Sequence, residues 1–300
     1  MKGLISGILG AMFIFWGCAP VEEKPLVVSV DTWIGASPLY YAHAMGWLKE
    51  ANIQILQAGS IEENLNLYET NASDVVTGTE HEYFRLKEFH KDLIPVIIYD
   101  RSYGGDVILS NRILQQLLQP DTKISVYVEL DTVGEDMLNY LIAEHNLSKD
   151  KMDIYNRSQE EIKRVGNPNS NEAFIMVTYN PHDLALKKQG FKEIANSKND
   201  HYVVVDSFMT SRQVYNQHKK QLQTLKAFMD KAVSAYQNNP KLFYKTVKPY
   251  LNNVGFEEFE QMRANIRWIN NETLSPVMKK KLEEMNYPVA ELIYFNEVRR

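Results

Sequence analysis

The sequence predicts an α/β protein in which strands and helices alternate, and three observations lead there. Apolar runs of strand length recur through the first two thirds of the 300-residue chain. Helix-capping signals follow most of them, a hydroxyl or amide residue standing just before the helix and often a Glu three positions on. The composition, 44% hydrophobic and 24% charged, is that of a globular chain and excludes disorder. Strands that alternate with helices in this way form parallel sheets.

Leu26–Val30 reads as a short buried strand, and a helix opens at Ser37-Pro38 with Ser as N-cap and Pro at the first helical position. Ile53–Leu56 is the next strand. Ser60-Ile61-Glu62-Glu63 then has the spacing of a capping box, in which hydroxyl and carboxylate satisfy free backbone N–H groups. The same spacing recurs at Thr79…Glu82, Thr132…Glu135 and Ser158…Glu161. These lie beside the strand-like runs Val75–Thr77, Ser125–Val128 and Met152–Tyr155. Asn180-Pro181 opens another helix after Ala173–Val177. From Ser211 to Tyr287 the pattern is helical throughout, with long amphipathic stretches such as Leu222–Tyr236. Pro120-Asp121 and Asn167–Asn171 read as surface turns. Two segments could carry the chain between lobes: Ser102–Asp106, with its paired glycines, and Val205–Phe208, where strand gives way to helix. Glycine permits backbone angles that a hinge can use, although an ordinary tight turn fits Gly104-Gly105 equally well.

Ahead of the first strand, Lys2 precedes the apolar run Leu4–Trp16, which ends at Gly17-Cys18. This is the build of a secretory signal peptide. Its Gly-Cys end resembles the lipobox of bacterial lipoproteins, where the cysteine thiol takes a diacylglycerol thioether and becomes the first residue. Phe15 and Trp16 depart from that pattern, standing where lipoboxes carry Leu and a small residue. On this reading residues 1–17 are a signal peptide, Cys18 is lipidated, and residues 18–25 tether the fold to a bacterial membrane outside the cytoplasm. The alternative is a membrane helix with a buried cysteine, but a span needs about 20 apolar residues. Cys18 is the one cysteine of the chain, so the fold holds no internal disulfide. Loss of Lys2 takes the net charge from -5 to -6, and such acidity excludes nucleic acid as a partner.

Four segments carry a resemblance. The first is Asp31-Thr32-Trp33-Ile34-Gly35-Ala36-Ser37-Pro38-Leu39-Tyr40-Tyr41-Ala42, continuing to Gly46-Trp47-Leu48-Lys49-Glu50. The second is Ala72-Ser73-Asp74-Val75-Val76 with Gly78-Thr79-Glu80, and the third is Asp100-Arg101-Ser102-Tyr103-Gly104-Gly105-Asp106. The fourth runs from Glu172-Ala173-Phe174-Ile175 to Tyr179-Asn180-Pro181. In this order over residues 26–206 they resemble the periplasmic substrate-binding proteins of the nitrate/sulfonate/taurine and thiamine-pyrimidine-precursor group of ABC importers. The resemblance implies a type II periplasmic-binding-protein fold: two α/β lobes, a ligand cleft between them and a helical C-terminal part. Lobe one would comprise residues 26–103 and 207–300, and lobe two residues 104–206. The lobes would close on a small ligand by hinge motion and pass it to a membrane permease. Two departures stand against transferring a relative's specificity. Ser170-Asn171-Glu172-Ala173 replaces the usual Gly-x-hydrophobic-Asp-Ala, and Asn180 replaces a Glu at a position that can face ligand.

Ligands of open α/β sheets lie beyond the carboxyl ends of the strands, among helix N-termini. Three helix starts, at Ser37, Thr79 and Thr132, should point there, and their free N–H groups can hold an anionic or carbonyl oxygen. Each hydroxyl can equally do no more than cap its own helix. Trp33 lies on the first strand–helix loop, either as a stacking wall of the pocket or as a core residue covering the sheet end. Tyr179 is its counterpart in lobe two. With Glu80, Ser102, Gly105, Asp106 and Glu129 these residues form the expected ligand-binding set. The loops carry Asp31, Glu80, Asp106, Glu129 and Asp183 but one cation, Arg101, so a dianion lacks the pairing it requires. A small neutral or cationic ligand with a flat or apolar part, such as an aminopyrimidine or an amine, is expected, although a monoanion held by helix N-termini needs no arginine and some of these carboxylates can serve helix starts or face solvent.

Catalytic signatures are missing: there is no Gly-x-Ser-x-Gly elbow, phosphate loop, His-Glu-x-x-His site or calcium loop. The seven histidines lack metal-ligand spacing, and the adjacent Glu80-His81-Glu82 of a helix point in different directions. No cofactor, no metal and no catalysis are expected, and the protein should be a monomer. Besides a solute receptor, the same fold could serve as a ligand-sensing receptor or scaffold. A thiamine-pyrimidine-synthase-like enzyme is the third alternative; that family's cysteine-rich motif cannot be supplied by a chain whose one cysteine is Cys18.

Overall fold

The computed structural model describes residues 24–165, 167–198, 203–251, 253–269 and 274–293. Cys18, the apolar run before it and most of the tether lie outside the described residues. Among the described residues eleven strands form two sheets. The first holds β1 (Leu26–Val30), β2 (Ile53–Gln57), β3 (Val75–Thr79), β4 (Leu93–Ser102), β10 (Val205–Ser211) and β11 (Ile266–Trp268), in the order β11-β4-β10-β3-β1-β2. The second holds β5 (Asp106–Ser110), β6 (Ile124–Val128), β7 (Met152–Asn156), β8 (Ala173–Tyr179) and β9 (Lys192–Asn196), in the order β7-β6-β8-β5-β9.

The helices are α1 (Ser37–Ala44), α2 (Trp47–Glu50), α3 (Ile61–Glu69), α4 (Glu80–Phe89), α5 (Leu114–Leu117), α6 (Val133–His145), α7 (Gln159–Ile162) and α8 (His182–Gln189). After β10 follow α9 (Arg212–Asn238), α10 (Pro240–Val247), α11 (Phe256–Ala264) and α12 (Pro276–Glu284). Each sheet is covered on both faces, giving two three-layer lobes. In lobe one, Val28, Val30, Ile97 and Phe208 pack with residues of α1, α9 and α10, while Val76, Ile98 and Met209 pack with residues of α3, α4 and α12. In lobe two, Val126, Ile175 and Val177 meet Met137, Leu138 and Leu141 of α6.

The sheets are mixed, which corrects the expectation of purely parallel ones. β1 pairs in parallel with β2 and β3, and β6 with β7 and β8. β10 runs antiparallel to β3 and β4, and β5 antiparallel to β8 and β9. The crossings explain this. The chain leaves lobe one at the end of β4 and enters lobe two as β5, whose first residue, Asp106, pairs with Tyr179 at the end of β8. It returns between β9 and β10, and Asp206 near the start of β10 pairs with Thr79 at the end of β3. A strand that enters a sheet where its neighbours finish must run against them. Val205–Phe208 is therefore wholly strand, and the return crossing precedes it.

The first crossing turns at Gly104, whose φ of +100° favours glycine. Ser197, beyond β9, laces the two crossings together: its Oγ pairs with Ser102 Oγ at 2.7 Å and accepts the Gly104 N–H at 2.8 Å.

The last third is not helical throughout. Ile266–Trp268 pairs antiparallel with β4 and closes that edge of the sheet. The helix start at Ser37 also differs from expectation. Residues Ile34–Ala36 form a 3-10 turn that runs straight into α1, so Ala36 is the cap and Ser37 is the first helical residue. Its buried hydroxyl donates back to the Ile34 carbonyl. The box at Thr79 holds, with Glu82 Oε2 accepting the Thr79 N–H at 2.8 Å. Thr132 caps α6 by accepting the Gly134 N–H at 3.2 Å, but Glu135 reaches past it to the Asp131 N–H at 2.9 Å. Ser60 likewise accepts the Glu63 N–H at 3.1 Å, while Glu63 reaches back to the Gly59 N–H.

Candidate functional site

Because both sheets aim the same strand ends at the gap between the lobes, polar residues from both collect there. A cavity in this gap is lined from lobe one by Asp31, Trp33, Thr79 and Asp206, and from lobe two by Asp106, Glu129, Thr132, Gln159, Thr178 and Tyr179. Ile61, Val133, Met137 and Val177 add apolar wall. Asp31 and Trp33 follow β1, Thr79 ends β3 and Asp206 opens β10. Asp106 opens β5, Glu129 and Thr132 follow β6, Gln159 opens α7, and Thr178 and Tyr179 end β8. The lobes stand close: the free volume is about 30 Å³, room for about two waters.

Trp33 occupies both of the positions considered for it. It is buried in the lobe-one core and also forms a cavity wall, its ring edge-on to Tyr179 with centroids 6.3 Å apart. Its indole N–H donates to Asp100 Oδ2 at 2.9 Å. Gly105 matters through what it lacks: a Cβ there would lie 2.6 Å from Trp33 Cη2. The glycine therefore lets the crossing lie against the indole.

Of the ten expected ligand-binding residues, Trp33, Thr79, Asp106, Glu129, Thr132 and Tyr179 are brought together around the cavity. The other four are placed elsewhere. Ser37 is sealed in α1, and Ser102 is engaged with Ser197 in the crossing. Gly105 backs the tryptophan. Glu80 accepts the Val205 N–H at 3.0 Å and faces a wide flank groove of about 1100 Å³ between α4, α6 and α12. Its neighbours on α4 diverge: His81 Nδ1 meets Asp136 across the lobes at 2.6 Å, and Glu82 returns to Thr79. Asn180, a further possible ligand contact, is buried and donates to Asp183 Oδ1 at 2.6 Å.

Sequence reasoning missed Gln159, Thr178 and Asp206 as cavity residues. Gln159 was within reach, since it follows the Ser158 cap of a helix start like those at Thr79 and Thr132. Asp206 becomes visible only once β10 is paired: its register sets it opposite both Thr79 and Asp100.

The electrostatics are one-sided. Four carboxyl groups line the cavity, from Asp31, Asp106, Glu129 and Asp206, and among the described residues no Lys, Arg or His lines it. Burial pushes the Asp31 carboxyl up to about 6, and the nearby Glu82 charge adds to the rise. Burial likewise pushes Asp106 up to about 6 and raises Glu129. Asp100 and Asp206 are hydrogen-bonded to each other, and burial raises both, the Asp100 charge lifting Asp206 well above the carboxylate range. Two like charges directly opposite in an antiparallel pair disfavour joint ionisation, so this dyad holds a proton.

Three polar atoms of the lining have no hydrogen-bond partner among the described residues: Asp106 Oδ2, Gln159 Oε1 and Thr178 Oγ1. Their residues are at most 7% exposed. Thr79 and Thr132 spend their hydroxyls on their own helices, and Glu82 already places a carboxylate at the start of α4. Arg101 lies away from the cavity, its guanidinium 5.8 Å from the Tyr103 ring centroid. Among the described residues no group of three or more His, Cys, Asp or Glu side chains is placed to hold a metal ion.

No family model matches the chain, and no curated protein matches it. Solved structures do match in fold. The alkanesulfonate-binding protein SsuA from Xanthomonas axonopodis pv. citri, bound to MOPS, superposes with TM-score 0.68 at 14% identity, over 87% of this chain and 91% of that one. The zinc-bound ligand-binding component of an ABC-type import system from Staphylococcus aureus gives TM-score 0.67 at 11% identity, over 92% and 96%. The desulfurization enzyme DSZB gives TM-score 0.63 at 11% identity, over 92% and 99%. The chain thus has the periplasmic-binding-protein fold, a fold used by solute-binding components of ABC importers and also by an enzyme. No described helix is long and apolar enough to cross a membrane.

Proposed function

We propose that this protein is an extracytoplasmic solute receptor of an ABC importer, capturing a small organic ligand between its lobes and passing it to a membrane permease. One observation carries the reading. The cavity takes its lining from both sheets at the carboxyl ends of the parallel strands, and three buried polar atoms in it lack partners. Leaving such atoms unpaired costs about 1–3 kcal/mol each, a cost that a bound solute would remove. Trp33 and Tyr179 supply the flat apolar walls, and Thr79, Asp106, Glu129 and Thr132 the polar rim.

The lobes of this receptor are residues 26–103 with 205–300, and residues 104–196, because β10 belongs to the first sheet from Val205 on; they are hinged at the two crossings that Ser102 and Ser197 tie together. The acidic lining favours a neutral or cationic ligand over a dianion. A sulfonate such as the MOPS bound to SsuA would meet carboxylates here and, among the described residues, no arginine or lysine. The Gly17-Cys18 junction supports export and lipid anchoring to a bacterial membrane, inner or outer, and the receptor is read as a monomer.

Native mass spectrometry of the protein purified from its own host tests the reading. A single small molecule should be retained at one per chain and lost on unfolding. A chain that carries nothing, and takes up nothing from a metabolite extract of that host, would refute it.

A further inference from the structure

The cavity's chemistry is narrower than its position requires, and it bears on the ligand class, an inference that rests on the receptor reading. A cavity built for an anion would present donors. This one presents Asp106 Oδ2 and Gln159 Oε1 as acceptors unpartnered among the described residues, with the Thr178 hydroxyl in the same lining. Asp106 is 7% exposed, Gln159 6% and Thr178 3%, so bulk solvent barely reaches them. All three come from lobe two. Gln159 is fixed from its other end, its Nε2–H donating to Glu129 Oε2 at 3.1 Å, which turns its carbonyl into an acceptor with nothing to accept. Asp106 is fixed through its backbone N–H, which donates to Ser102 Oγ at 3.2 Å. From lobe one, Asp31 adds a second carboxylate.

A quaternary ammonium would answer the charge but bring no N–H to these acceptors. A neutral hydroxyl compound would bring donors but leave the carboxylates uncompensated. A protonated amine, amidine or guanidine answers both. Its carbon part would lie against Trp33, Val177 and Tyr179.

We infer that the cleft selects a small organic cation whose charged head carries several N–H donors, bound by Asp106 with Gln159 and Thr178.

Calorimetric titration of the full chain with benzamidine, agmatine and phenethylamine tests this, with choline, taurine and nitrate as comparisons. At least one of the three N–H cations should bind at one per chain. Choline, equal in charge to two of them but without N–H groups, should bind at least about tenfold more weakly, since charge-assisted hydrogen bonds are lost. Asp106→Asn should weaken the bound cation by about tenfold or more. Thr178→Val provides a second variant if that one fails to fold, and it too should weaken binding. Three results overturn the inference: no binding by any of the three cations, choline binding as tightly as they do, or unchanged affinity in a folded variant. Binding of taurine or nitrate alone would overturn the ligand class and leave the receptor reading standing. A chain that binds no probe and retains nothing from its host would remove both.

Discussion

Glu80→Gln should convert a pH-dependent stability into a flatter one, and the size of the effect follows from the surroundings of Glu80. The side chain is 5% exposed and accepts the Val205 N–H at 3.0 Å at the return crossing. Burial pushes its carboxyl from 4.5 up to about 8, the nearby Glu82 and Asp106 charges adding to the rise. Below pH 4.5 the group is protonated in both folded and unfolded chains, and its contribution to stability is fully present. Between 4.5 and 8 the unfolded chain releases the proton and the folded chain keeps it, so stability falls as pH rises. Above 8 the loss is complete, at about 5 kcal/mol for a rise of this size. Glutamine keeps a carbonyl for the Val205 N–H and cannot ionise. Urea unfolding at pH 4.5, 6.5 and 8.5 should therefore give near-equal stabilities at the lowest pH. At the highest, the variant should be more stable by several kcal/mol. Asp31 and Asp106, raised to about 6, contribute slopes of the same sign in both proteins and cancel in the comparison. A constant difference across the three pH values, or a variant weaker at pH 8.5, would refute the placement of Glu80 as a buried acid.

Three further outcomes are expected. Trp33→Ala should weaken ligand binding by more than it weakens folding, because the indole is a cavity wall as well as a core residue; unchanged affinity in calorimetry would remove Trp33 from the site. Gly105→Ala places a Cβ 2.6 Å from Trp33 Cη2, so the indole must shift. A blue or red displacement of tryptophan emission together with lost binding would report it, and a variant indistinguishable from the parent would contradict the close approach. Lys226→Met removes an ion-pair partner of Asp230 inside α9, where both side chains are 3% exposed. It should cost about 3–5 kcal/mol in chemical denaturation, with much of that recovered by Lys226→Met combined with Asp230→Leu.

What was legible in the sequence follows from which interactions are local. Capping residues act within one turn, so Thr79 with Glu82 and Thr132 announced helix starts that the fold then turns toward the cleft. Ser37 carried the same local signal, but the 3-10 turn at Ile34–Ala36 absorbed the cap and aimed the hydroxyl backwards. The strand at Ile266–Trp268 is three residues long, with Arg267 exposed between two buried neighbours, too short for a period-two pattern to stand out among helices. The antiparallel strands β5 and β10 were hidden for a different reason: their direction is set by where the chain crosses between lobes, not by their residues. The Asp100–Asp206 dyad belongs to the same class, because residues about a hundred positions apart become neighbours only through strand register. Composition is visible at the cavity as well, where the described lining holds four carboxyl groups and no Lys, Arg or His.

The central claim is that this cavity is where a solute is held. Its most direct test is a crystal structure of the protein isolated from its own host with whatever it retains. The account predicts density for a small molecule between the lobes, against Trp33 and Tyr179 and within hydrogen-bonding distance of Asp106. A solute seated instead in the flank groove between α4, α6 and α12, with the interlobe cavity unchanged, would contradict it.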